Sequence, residues 1–439
     1  MNGALSLEQA PPISVPLRFF LTLPAFGALA AFILLWAGAD ALASRWHPAT
    51  LAISHLVMLG MFCMVMFGAM FQMLPVLAGV RAPWPRLTGG SCHVLLTGGT
   101  LLLAIAFLSG ATALFVVAAA MLGLAVAVFA GVIGNGLLRA PQPAASVRGM
   151  RWALLGLVVT AIAGITLALG YGLPGMTLLR HPLTDLHLAW GLVGWVAALI
   201  VVVAFQVVPM FQMTEPYPHR LRRWLAPSLF VLLTWLSLAV SGLVPGSAAA
   251  TLALATLLAA FALQTLLLLA RRRRRVRDTS LYFWRFGMLS LSLSTLLFGL
   301  LQLFPTRPDS RLPLALAVLF VAGFGLSIVF AMLYKIVPFL VWLHLQQRLA
   351  ARSVAVRGYR APAMRAVLSD APVRRHLALH LAAVALLLGS LWLPLLVRIS
   401  AALWLAGLVL LAGNLAGAMR CYIKQSRRID QLGDGPVCD

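Results

Sequence analysis

Histidine carries most of the chemistry this chain could do, because a neutral imidazole nitrogen is a strong ligand for haem iron or copper and can lie in an apolar wall. The chain holds nine of them. His55 and His187 each fall in the outer turns of an apolar segment, where burial is costly without a partner. They are candidate cofactor ligands, against the plainer reading of hydrogen-bonded interfacial residues. His47 and His181 each open the pattern HPxT just ahead of those segments. Either its threonine caps the following helix, or the two histidines, with Asp185, form a metal site or a mouth for proton uptake on the outer side. His376 and His380 are four residues apart and share one helix face, a spacing that can chelate. Arg374 and Arg375 beside them predict a plainer place at the cytoplasmic interface.

Sulfur and a few polar side chains add further candidates. Met58, Met61, Cys63, Met64, Met66, Met70 and Met73 crowd one segment. Thioethers and thiolates favour Cu(I), but these residues spread around the whole helix, which predicts adaptable packing rather than a copper path. Gln72, Gln206 and Lys335 take equivalent places in three segments. Lys335 either snorkels to the cytoplasm or lines, with the two glutamines, the inner half of a polar path. The four cysteines form no disulfide framework: Cys63 lies mid-segment, and Cys92, Cys421 and Cys438 fall at or beyond the reducing side.

The elements that must position these residues are membrane helices. With 62% hydrophobic and 10% charged residues, and a mean hydropathy of +0.99, the chain is too apolar for a soluble globule. Uncharged runs of about 20 residues, enough to cross roughly 30 Å of hydrocarbon, recur from Phe19 to Ala418 and predict twelve spans. The first run is itself long enough to span, which predicts no cleaved leader. The excess of 33 Lys and Arg over 10 Asp and Glu does not point to nucleic acid, because the charges sort by loop. Those at Arg81 and Arg86, Arg139 to Arg151, Arg220 to Arg223, Arg271 to Arg275, Arg348 to Arg375 and Arg420 to Arg428 follow even-numbered spans; the other loops hold Arg45, Arg180, Arg307, Arg311 and Arg398. By the positive-inside rule both termini are expected in the cytoplasm of a bacterial-type inner membrane.

Internal repetition organises the spans. Shifted by 134 residues, Ser54 to Gly79 lands on a copy in which Gly60 meets Gly194, Gln72 meets Gln206 and Pro75 meets Pro209; a further shift of 129 reaches Gly323, Lys335 and Pro338. Three copies of a four-span unit follow, at 1–150, 151–280 and 281–439, the last with a cytoplasmic tail. The fold class is thus all-α integral membrane, twelve transmembrane helices as three pseudo-symmetric groups of four. The inner loop Gln346 to Arg375 is the longest and is expected to be mobile or to contact a partner. Under the same register His187 falls on Ile53, so His55 and His187 stand two residues apart, about 200° around the helix, and are not symmetry mates.

The segment HLVMLGMFCMVMFGAMFQMLPVLAGVRAPWPRL resembles the second membrane helix and following loop of subunit I of the haem-copper oxidases. That resemblance implies a twelve-helix, three-group fold and a low-spin haem ligated at His55. The NnrS family, twelve-helix membrane proteins with haem and copper linked to nitric-oxide stress, is similar in plan. The oxidase ligand set is not complete: His187 is followed by Leu188 and Ala189, no two histidines are adjacent, and the tenth segment has none before His344. Oxygen reduction is therefore not expected. The leading expectation is a haem-binding protein, haem b with copper as a second candidate, in respiratory or nitric-oxide-related physiology. A small-solute, proton or copper permease is the alternative. A non-catalytic companion of a respiratory partner subunit is a third.

Overall fold

The computed structural model describes residues 10–141, 144–173, 180–273, 278–304, 311–351 and 359–433. Twelve of its helices are long and apolar enough to cross a bilayer, and the chain is a multi-pass membrane protein. In order, spans 1 to 12 are Ser14–Leu42, Pro48–Ala78, Pro85–Ser109, Thr112–Leu138, Ala145–Gly172, Pro182–Gln212, His219–Val240, Ser247–Ala270, Thr279–Leu303, Leu312–Ala351, Asp370–Gly389 and Leu396–Leu432. No strand occurs among the described residues.

Helix neighbours define a ring around a centre. Spans 1, 3, 4, 5, 7, 8, 9, 11 and 12 pack each against the next, and span 12 closes back on span 1. Spans 2, 6 and 10 lie inside it. Between 67% and 78% of their apolar windows are buried, against 28% to 50% for the other nine. Large side chains fill the distance between the inner spans: Phe62 lies against Gly325, Phe67 and Trp195 meet edge to face at 6.4 Å, and Phe211 meets Phe339 at 6.1 Å. The ring turns Phe32, Val94, Ile162, Val231, Leu263, Leu289 and Val409 outward. Water would penalise such a girdle, whereas acyl chains are as apolar as leucine.

Each inner span is interrupted by a π-helical stretch, at Met58–Cys63, Trp190–Ala197 and Leu319–Leu326. In the repeat register all three end on the same position, Cys63, Ala197 and Leu326. Each also contains the repeated glycine, which lets a ring helix come close. A Cβ on Gly60 would run into the Phe26 ring of span 1, one on Gly194 would lie 2.9 Å from Trp190 and 3.6 Å from Gly156 of span 5, and one on Gly323 would lie 2.7 Å from Ser290 of span 9. Further along, Pro75, Pro209 and Pro338 remain inside continuous helix.

One expectation changes. Span 10 continues to Ala351, the short helix Met364–Val367 follows, and span 11 starts at Asp370, so the connection is shorter than Gln346 to Arg375. Lys335 keeps a quarter of its side chain exposed and pairs with Asp278, the N-cap of span 9, at 2.6 Å. The sulfur-rich stretch of span 2 is packing material, with Met61, Cys63, Met64, Met66 and Met70 buried in the main core.

Candidate functional site

Span 2 begins on a proline, with His47 as N-cap: its Nδ1 accepts the Ala49 N–H at 3.3 Å. The HPxT threonine does something else. Thr50 donates its hydroxyl back to the Ala41 and Ser44 carbonyls at 2.6 and 2.9 Å, folding the preceding loop onto the helix start. Two turns later His55 turns its Nδ1 to the Leu51 carbonyl at 2.8 Å. On span 6, His187 reaches the Thr160 carbonyl of span 5 at 3.0 Å through the same atom. It lies against Gly164, where a Cβ would come within 2.8 Å of its ring. A carbonyl only accepts, so each neutral imidazole is protonated on Nδ1 and carries its lone pair on Nε2.

The two imidazoles come together. Their centroids are 6.3 Å apart and their planes differ by 16°. Phe107 of span 3 backs His55 at 5.0 Å, and behind it Phe115 and Tyr171 form an aromatic cluster. Both histidines are only partly covered, despite lying within spans. No family model matches this chain, and no curated protein matches it. What the pair can do must therefore be argued from its chemistry.

Among the described residues no group of three or more His, Cys, Asp and Glu gathers around one point. Two neutral imidazoles alone suit a metal that brings the rest of its coordination with it, as haem iron does, better than a bare ion needing four protein donors. The centroid separation of 6.3 Å is within the reach of two imidazoles that share one ion, each nitrogen about 2.0 Å from it. Carbonyl acceptors on the far nitrogens are the usual means of fixing the tautomer of a ligating histidine.

Asp185 does not stand free at the mouth of this site. It pairs with Arg45 at 2.7 Å, tying the loop before span 2 to the start of span 6. Both partners are about half exposed, so the pair is worth no more than ~1 kcal/mol. Asp185→Asn should leave the apparent Tm in detergent nearly unchanged; collapse of the folded peak on size exclusion would show that the strap carries more than a screened surface pair. The side chain of His181 lies outside the described residues.

Of the path-lining candidates, Gln72 is buried with no hydrogen-bond partner for Oε1, Gln206 is partly covered, and Lys335 sits in its ion pair with Asp278. Asp278 also caps span 9 through the Ser280 N–H and hydroxyl, and Ser280 receives Gln212 Nε2 at 2.9 Å. Two further histidines are tied into the bundle: His93 meets the Thr22 hydroxyl at 2.8 Å, and His344 lies between the Leu340 and Pro11 carbonyls. His376 and His380 are buried inside the bundle rather than interfacial.

Proposed function

We propose that this protein binds haem through His55 and His187, in a bundle of the kind found in haem-copper oxidase subunit I and NnrS-like proteins, and serves respiratory or nitric-oxide-related physiology. The near-parallel imidazole pair at 6.3 Å carries the proposal. Support for three groups of four comes from the inner spans: each packs on the span before it, and their π-helical stretches share one register. Topology with both termini in the cytoplasm rests on the arginine-rich loops lying at one end of the bundle.

His55 and His187 would hold the haem iron through Nε2, with the Leu51 and Thr160 carbonyls fixing both tautomers and Phe107 and Gly164 adding apolar surface beside the rings. A bound haem would contribute reversible one-electron chemistry at its iron.

Purification from haem-replete cells tests this. The wild type should show the Soret band of a low-spin b-type haem with iron in proportion to chain. His55→Ala and His187→Ala should each abolish or convert that spectrum, while His93→Ala leaves it intact. A colourless, monodisperse wild type would overturn the proposal, and copper without iron would transfer the pair to a copper site.

A further inference from the structure

Buried polarity is unevenly distributed in this molecule. Of the nineteen buried polar side chains among the described residues, thirteen lie from Thr279 onward. Several of them align. At the arginine-rich end Asp370 receives the Thr279 N–H at 3.1 Å and pairs with Arg374 at 3.2 Å. His376 follows about 9 Å further into span 11 and His380 about 15 Å in, at 1.5 Å per residue. The Tyr334 hydroxyl of span 10 meets His376 Nδ1 at 2.8 Å and receives Asn414 Nδ2 of span 12 at 3.1 Å. His380 Nε2 meets the Ser327 hydroxyl at 2.8 Å. The two rings are 6.4 Å apart centre to centre. Beyond Ser327, one turn back along span 10, Gly323 faces the Ser290 hydroxyl of span 9, and Ser294 and Thr295 continue the buried line toward the arginine-poor end.

Buried histidines without a charged partner are expensive in a membrane interior and generally mark a route for ions or protons. His380 Nδ1 is buried with no side-chain partner, beside the backbone of Ala322 in the π-helical stretch. Phe283, Phe286 and Phe330 pack on the two rings from spans 9 and 10 and bring no charge. The titratable neighbours are Tyr334 and, toward the arginine-rich end, the pairs Lys335–Asp278 and Arg374–Asp370.

We infer that spans 9 to 12 contain a proton path, separate from the His55–His187 site, in which His376 and His380 are the relay. Each imidazole accepts a proton on one nitrogen and releases one from the other, with Tyr334 and Ser327 as hydroxyl partners on either side. Nothing is oxidised or consumed, and the charge moved is balanced by a counter-flow of another ion.

The experiment is proton uptake by vesicles containing the full chain, with a potassium gradient and valinomycin setting the potential and a trapped pH dye as readout. Wild-type vesicles should acidify faster than protein-free ones, and His376→Gln or His380→Gln should cut the excess flux by about a hundredfold, the scale of one positioned proton-transfer group. If either glutamine variant fails to fold, Tyr334→Phe keeps the ring and removes only the hydroxyl, and should also slow uptake. Wild-type flux equal to that of empty vesicles would overturn the inference. So would folded variants that conduct like wild type. Flux is read whether or not haem is bound, so this outcome and that of the spectral test are independent.

Discussion

Alanine at Gly156 is expected to unfold or severely destabilise the protein, although it adds a single methyl group. The ideal Cβ position collides with the Gly194 carbonyl and presses on the Cα behind it, so the obstacle is backbone rather than a side chain that can swing away. Gly194 sits in the π-helical stretch of span 6, and relief would require the whole inner helix to retreat from span 5. Overpacking of a close helix contact costs about 3 kcal/mol when nothing yields. Gly131→Ala is the control, because that position on span 4 has open space around it, and alanine there should be neutral or slightly stabilising. Apparent Tm in detergent, by fluorescence-detected size exclusion after heating, separates the two. Equal behaviour of both variants would mean that spans 5 and 6 do not approach as closely as described.

That contact also shows what the amino-acid sequence could and could not disclose. Gly60, Gly194 and Gly323 stand out because they recur in register, and the twelve spans stand out because an uninterrupted apolar run of sufficient length has few other fates in a cell. The π-helical stretches were hidden. An added residue in a helical turn changes the hydrogen-bond pattern without altering which residue types are favoured, so periodicity alone does not reveal it. The ring order was hidden too, since it depends on which faces meet rather than on how apolar each helix is.

The histidines show the same limit from two sides. His376 and His380 looked interfacial because Arg374 and Arg375 precede them, but span 11 starts at Asp370, so the histidines are one to three turns deep and their face points to spans 10 and 12. The structure brings His55 and His187 side by side, a pairing that the repeat register alone does not imply. They meet from non-equivalent positions of the repeat, about 200° apart around the helix, so the pair has no counterpart in the repeat register.

The Lys335–Asp278 pair gives the second large effect expected. Its partners keep only 25% and 16% of their side-chain exposure, and the two atoms are 2.6 Å apart. Lys335→Met leaves Asp278 a covered carboxylate with the Ser280 hydroxyl and N–H as its remaining support, and removing one member of a buried pair costs about 3 kcal/mol. Lys335→Met combined with Asp278→Asn should recover most of that loss, because no charge is then left without a counterpart and asparagine can still accept the Ser280 N–H at the start of span 9. In the aligned positions Gln72 and Gln206 already hold neutral amides, so a neutral side chain at this depth is compatible with the fold. A thermal-stability cycle over wild type, both single variants and the double variant measures the coupling. A coupling near zero would mean that water reaches the pair and screens it, and Lys335 would then be an ordinary surface cation with an elongated stem.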